Sequence, residues 1–261
     1  MHTCRTLGIL LLLVATTSPL HAEDAPPRSL RVLSYNIHHG RGNDGRIDLA
    51  RIAQVIRSAR PDLVALQEVD ENVRRSGQVA QTAELARLTG LHGKFARQID
   101  YDGGQYGQAI LSKWPLGELD LHMLPGDPPR EQRLLARASI QANGHTFWFA
   151  TTHLHHADQA IREAQVAALN RLFSTSEPPV IVAGDFNATP ESAAMGKVAR
   201  AWQIAGAGQN LATFPAAEPS RQLDYVVFRP GQRWRVTSVE VIAEPVASDH
   251  APLLVVLETV R

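Results

Sequence analysis

Gly184-Asp185-Phe186-Asn187 sets a carboxylate and a carboxamide two residues apart, directly after an apolar run, Pro179-Val180-Ile181-Val182-Ala183. Alternation along an extended chain sends the two polar side chains to one face and Phe186 to the other. Such a pair suits a site that handles a hard cation or a phosphate. Related groups recur where other apolar runs stop: Asn36 in Ser34-Tyr35-Asn36-Ile37, Glu68 in Gln67-Glu68-Val69-Asp70, His153 in Thr151-Thr152-His153-Leu154, Asp224 in Leu223-Asp224-Tyr225, and Asp249-His250 after Ser248. Asn and Glu oxygens are hard ligands of the kind Mg2+ takes while it keeps several waters. Hydrolysing a phosphodiester requires that the phosphate charge be neutralised, a water activated and the leaving oxygen stabilised. A histidine oriented by a buried carboxylate can serve as base near neutrality, and the carboxylate raises its pKa.

Each residue taken alone has an ordinary alternative. Asn36 could cap a turn, and Asp185-Phe186-Asn187 could be an Asx turn. Asp224, inside an apolar strand, is harder to dismiss, because an unpaired buried carboxylate is costly; Arg133 would be a sufficient structural partner. Arg130 and Arg133 flank Glu131, and either could grip a phosphate as a bidentate donor; Arg133 is the candidate carried forward. The loop Asp100-Tyr101-Asp102-Gly103-Gly104-Gln105-Tyr106 has the composition to border a cleft and stack on a base or sugar. His38, His39, His155 and His156 could widen the metal site or contact substrate, and His-rich loops can bind Zn2+, but with neither a Cys partner nor an H-E-x-x-H pattern most of them read as solvated or supporting groups.

The elements that must position these groups are legible from periodicity. Strands are expected at 30–37, 62–67, 107–112, 134–140, 146–154, 179–183, 223–228, 234–241 and 253–257. A helix capped by Asp48 carries the stripe Leu49, Ile52, Ala53, Ile56 at i, i+3, i+4, i+7. A second spans Val79 to Leu88 and stops near Gly90. A third follows Asp158 with the stripe Ile161, Ala164, Ala168, Leu172, and a weaker helical region covers Ser192 to Trp202. No linker divides the chain after residue 30, and strands and helices mix throughout. That pattern predicts one α/β domain over 30–261 with paired sheets covered by helices.

Ahead of it, Arg5 precedes the apolar stretch Leu7 to Ala15, too short to span a bilayer comfortably and of signal-peptide length. The expectation is a leader over 1–22, a linker over 23–29 with Pro26 and Pro27, and export to the periplasm or medium. Cys4 is the only cysteine, so removal of the leader excludes disulfides and a thiol mechanism. The full chain balances 26 basic against 26 acidic residues, and Arg5 is the only charged residue before Glu23. A chain cut after Ala22 therefore has 25 basic residues, a formal charge of −1. A protein gripping long duplex DNA through many phosphates usually carries a basic excess, so neutrality leans away from a nuclease without forbidding one.

Seven segments in order (Ser34-Tyr35-Asn36-Ile37, Gln67-Glu68-Val69, Gly107 to Ser112, Thr152-His153-Leu154, Gly184-Asp185-Phe186-Asn187, Leu223-Asp224-Tyr225 and Ser248-Asp249-His250) resemble the endonuclease/exonuclease/phosphatase (DNase I-like) superfamily. The resemblance runs from about Leu30 to Leu257. It implies a four-layer α-β-β-α sandwich of two packed mixed sheets, with the site where the sheets open. It implies that Asn36 and Glu68 hold Mg2+, with Mn2+ as a substitute, and that Asp249 is a further metal-side or orienting carboxylate. Asp185 would orient or activate the attacking water, and Asn187 would bind the phosphate. His250, aligned by Asp224, would be base or phosphate contact, and His153 would stabilise phosphoryl oxygens or the leaving group. The segments Tyr35 to Gly40 and Asp44-Gly45-Arg46-Ile47-Asp48 are similar to a bacterial branch related to GPI-anchor lipid remodelling. The implied substrate is a phosphoester in a lipid headgroup, a small molecule or a nucleic acid. No stable protein partner is implied, and a lipid substrate would bring transient contact with a membrane surface. A non-catalytic binding module on the same scaffold is the reading from another class.

Overall fold

The computed structural model describes residues 1, 29–126, 131–142, 145–175, 178–231 and 234–259. Apart from Met1 and Ser29, the expected leader and linker lie outside the described residues, as does Arg130. The strands are β1 (Leu30–Asn36), β2 (Leu63–Glu71), β3 (His92–Tyr101), β4 (Gly104–Ser112), β5 (Leu116–Met123), β6 (Leu134–Ala142), β7 (His145–His153), β8 (Val180–Asp185), β9 (Gln203–Ile204), β10 (Asp224–Phe228), β11 (Trp234–Val241) and β12 (Leu253–Thr259). The helices are α1 (Leu49–Ala59), α2 (Gln81–Thr89), α3 (Gln159–Leu172) and α4 (Ala193–Ala199). Two six-stranded mixed sheets result, ordered β11-β12-β1-β2-β4-β3 and β5-β6-β7-β8-β10-β9.

Period-two alternation explains how they stack. In β1, Leu30 and Val32 enter the core between the sheets, while Leu33 and Tyr35 pack with α1 on the outer face. In β8, Ile181 and Ala183 face the other sheet, whereas Val180 and Val182 meet the α3–α4 side. Strands covered on both faces carry apolar runs rather than strict alternation, as β8 does from Val180 to Ala183. The sandwich is thus helices, sheet, sheet, helices, the four layers expected from the sequence.

Helix ends follow local rules. The Asp48 carboxylate accepts from Arg51 N–H and Asp158 from Ile161 N–H, while Gly90 closes α2 in the left-handed region at φ 75. The expected face of α3 is corrected. Gln165, Val166 and Leu169 are buried, and Ala164 is exposed. Gln165 accepts from His155 N–H and donates to the Pro125 carbonyl, and those two bonds rotate the helix away from the purely apolar stripe. Strands β3 and β5 extend the edges beyond what the periodicity singled out.

Candidate active site

The inter-sheet face changes character along its length. The parity that places Leu30 and Val32 in the core also places Asn36 on that face. Likewise Phe149 precedes Thr151 and His153, Ile181 and Ala183 precede Asp185, and Asp224 precedes Val226 and Phe228. Register then aligns the polar ends. His153 lies opposite Asp185 in the parallel β7–β8 pair, and Asp224 lies opposite Asp185 in the antiparallel β8–β10 pair. On the facing sheet Asn36 lies opposite Gln67. Close approach of β7 and β8 explains Gly184, since a Cβ there would stand 2.0 Å from the Thr152 carbonyl oxygen.

Glu68 reaches the site by breaking that alternation. The expected strand end at Gln67 is corrected, because β2 runs on to Glu71. A bulge between Gln67 and Val69 leaves Glu68 at φ 57. Val69 returns to the outer core, so Gln67 and Glu68 both serve the site side. Bulges re-aim side chains in this way, at the cost of strain that surrounding structure must hold. Asn187 is not extended either, with φ 48. Its backbone N–H donates to Asp185 Oδ1 (2.8 Å) and its side-chain amide to the Leu154 carbonyl (3.0 Å). The Asx turn is the conformation formed, and the extended alternation expected through Asn187 is corrected.

Three nitrogens surround Asp185 Oδ2: Asn36 Nδ2 at 3.3 Å, His153 Nε2 at 3.4 Å and His250 Nε2 at 3.7 Å. Asn36 Nδ2 also donates to Glu68 Oε1 at 3.0 Å. The amide thus stands between two carboxylates drawn together from opposite sheets. Hard carboxylate oxygens convergent on one N–H donor are the donor chemistry that a divalent cation requires, so these residues fit one.

Asp224 is fully buried, and its partners are His250 Nδ1 (2.9 Å) and Thr213 Oγ1 (2.6 Å). Arg133, the sequence-based candidate for that pairing, is elsewhere. Its guanidinium is buried, 3.0 Å from Glu131 Oε1 but out of line for a hydrogen bond, with Nη2 3.5 Å from His156 Nδ1. Nε and Nη1 have no hydrogen-bond partner, a state that a bound anion would relieve. Asp249 faces His38, with 3.8 Å between Oδ1 and Nδ1, and accepts from Ser248 Oγ at 3.4 Å. Among the described residues no hydrogen bond or ion pair joins it to Asn36 or Glu68.

The electrostatics separate the three titratable groups. Burial raises the Asp185 carboxyl to about 7; the His250 charge opposes that rise and the Asp224 charge adds to it. Burial depresses the His250 imidazolium, but the charges of Asp224 and Asp185 and the Asp224 hydrogen bond outweigh it and lift the pKa to about 10. His153 moves the other way. Burial, then the charge of Arg133, holds it well below its ordinary range and therefore neutral. His39 and His155 are buried, so of the two expected roles the solvated one does not hold for them, while His155 Nδ1 accepts from the Ala157 and Asp158 N–H groups as a supporting ring.

Several contributors were not singled out by the sequence. Gln67 Nε2 donates to Thr151 Oγ1 (3.1 Å), which donates to Gln108 Oε1 (3.0 Å), tying the two sheets just behind the site. Ser248 Oγ donates to the Asn36 carbonyl (2.8 Å), fixing the approach of His250 to β1. The Phe214 ring packs on His250 with centroids 4.8 Å apart. Parity would have exposed Gln67, Gln108 and Thr151, each two residues from a core position or a site residue.

Residues 33–250 match the Endonuclease/Exonuclease/phosphatase family. Among solved structures, the chain is similar to an endonuclease/exonuclease/phosphatase from Beutenbergia cavernae DSM 12333, with 24% identity over 89% of this chain and 72% of that one, at a TM-score of 0.77. The human Nocturnin catalytic domain with bound sulfate shares 20% identity over 90% and 97% of the two chains, at a TM-score of 0.69. Mannosyl-6-phosphatase Bt3783 of Bacteroides thetaiotaomicron VPI-5482 shares 17% over 87% and 99%, at 0.70. At these identities the likeness is one of fold. Among curated proteins none matches significantly.

Proposed function

This chain belongs to the Endonuclease/Exonuclease/phosphatase family of metal-dependent phosphoester hydrolases, and on that premise we propose that it is a Mg2+-dependent phosphodiesterase, with Mn2+ as a working substitute. The observation that carries the reading is the convergence of Asn36, His153 and His250 on one oxygen of a carboxylate held near neutrality. Asn36 and Glu68 would hold the cation, which when bound neutralises phosphate charge and lowers the pKa of its water.

The side chains supply the rest. Asp185 accepts the proton of the attacking water; a base with a pKa near the working pH is the efficient one. The water oxygen bonds to phosphorus as the bond to the leaving oxygen breaks on the opposite side, without a covalent enzyme intermediate. His250, kept cationic by Asp224, donates to a phosphoryl oxygen. Neutral His153 donates its N–H to a phosphoryl oxygen or to the departing one. Arg133, beside Glu131, turns buried N–H groups that lack a hydrogen-bond acceptor to the phosphate, Asn187 contacts it, and Asp249 orients the His38 side of the site. Groups pre-aimed at developing charge in a dry site cost no reorganisation.

A headgroup phosphodiester is the favoured substrate, supported by the near-neutral charge and the similarity of 35–48 to lipid-remodelling relatives. Export belongs to the same reading. The test is hydrolysis by the purified mature chain of a headgroup lipid, a chromogenic phosphodiester, RNA and DNA, with and without Mg2+. Metal-dependent headgroup release is expected. Cleavage of nucleic acid alone would move the substrate, and no hydrolysis of any would remove the reading. N-terminal sequencing of the periplasmic protein should begin near Glu23; a retained Met1 would count against the leader.

A further inference from the structure

The chemistry above employs His153 and His250 and leaves two neighbouring histidines without a task. His38 and His39 follow Asn36 after a single residue. Their rings meet edge to face with centroids 4.5 Å apart. One ligand atom from each ring and one carboxylate oxygen of Glu68 all lie within 4.8 Å of one another.

Two further observations point to a ligand. His39 is only 8% exposed, and its Nδ1 is buried without a hydrogen-bond partner. Leaving such a nitrogen unsatisfied is destabilising, a penalty that a bound cation removes. Asp249 Oδ1 approaches His38 Nδ1 at 3.8 Å. A carboxylate on one nitrogen is how proteins orient an imidazole whose other nitrogen binds a metal. The nearby cation Arg75 is neutralised by a bidentate pair with Asp70, at 2.9 and 2.8 Å.

We propose that His38, His39 and Glu68 form a site for a borderline transition-metal cation such as Zn2+ or Co2+, beside the Asn36–Asp185 pocket and sharing Glu68 with it. Mg2+ prefers oxygen donors and retained waters, whereas imidazole suits the later first-row ions. Two histidines and one carboxylate select the second group. The proposal rests on the hydrolase reading only in that Glu68 serves both positions.

The test is Co2+ titration of the purified full chain, freed of metal by dialysis against chelator. The expected result is visible d–d absorption that saturates, persists in excess Mg2+ and is abolished by Zn2+. His38→Ala and His39→Ala should each weaken Co2+ binding by at least about tenfold, and the double variant should lose the bands. Wild-type affinity in the double variant, or no bands in the wild type, would overturn the site. Far-UV circular dichroism checks that the variants fold. If they do not, NMR of the Co2+-loaded wild type decides, since both ligating rings must show hyperfine-shifted N–H signals; their absence overturns the proposal equally. Hydrolysis of a chromogenic phosphodiester with Mg2+ is measured separately. Its absence with the Co2+ bands intact removes the hydrolase reading and leaves the metal site standing.

Discussion

The two ends of the inter-sheet seam are made by the same strands on the same face, yet one is a dry core and the other a charged site. At the core end Leu30, Leu63, Phe147, Phe149, Phe228 and Leu257 interdigitate. At the other end the same parity delivers Asn36, Gln67, His153, Asp185 and Asp224, all buried. The first end removes apolar area from water and stabilises the fold. The second buries carboxylates whose ionisation is penalised, and so works against stability. The two functions are separated by about the length of a few residues along each strand, with Gln67, Thr151 and Gln108 at the junction.

Breaking the comparison at its charged end has the largest expected effect. Asp185→Asn should lower kcat/KM by at least about 10³-fold, roughly 4 kcal/mol. The same change should leave the metal-free protein no less stable at pH 8, and more stable by about 1–3 kcal/mol if the buried charge is the cost inferred here. Steady-state kinetics and thermal melts in chelator read the two halves; a large loss of Tm would refute the division of labour. At the dry end Phe149→Ala should cost about 3–5 kcal/mol of stability, while kcat measured well below the new Tm stays near wild type. An equal collapse of kcat would show that the ends are not separable.

Asp224→Asn tests the support of His250. About 10²-fold loss of activity is expected, with the His250 imidazole, followed by NMR, titrating well below its wild-type value of about 10. An unmoved titration would place the origin of the raised pKa elsewhere.

The pH dependence of the metal-free protein sharpens the contrast further. His250 is raised in the folded state from 6.5 to about 10. Its stabilisation is complete below pH 6.5 and is lost as pH rises through 10, because only the native state retains that proton between the two values. Asp185 is raised from 3.8 to about 7, so its contribution is favourable below 3.8 and lost by 7. Tm in chelator should therefore fall as pH rises from 7 to 10, whereas below 7 the depressed His39, His153 and His155 gain stability with rising pH and oppose the loss at Asp185. A divalent cation should restore more stability at pH 8 than at pH 6. A Tm that climbs between pH 7 and 10 would contradict the His250 assignment. The smallest effect is expected at the junction, where Thr151→Val strands Gln67 and Gln108 and should cost about 1–2 kcal/mol.

Much of this was legible from local pattern. Strong apolar runs marked β1, β8 and β12, and β11 falls at its expected bounds, Trp234–Val241. Asp48, Asp158 and Ser192 each accept from the N–H three residues on, which needs only a side-chain oxygen at a helix start. The weaker edge strands β3 and β5 have few fully buried positions, so their patterns carried little signal.

Residue types, spacing and alternation by themselves determined the strongly apolar strands, which face each of these presents, and that carboxylates and histidines end several of them. Those follow from one- and two-residue geometry, which the chain carries with it anywhere. Tertiary structure alone decided the rest. The β-bulge that turns Glu68 inward depends on its β4 partner. Asp224 has His250 and not Arg133 as partner because register sets Asp224 beside Asp185 and β1 pairing brings β12 to the same end. The shifted pKa values arise from burial between two sheets, a property that no local stretch of sequence possesses.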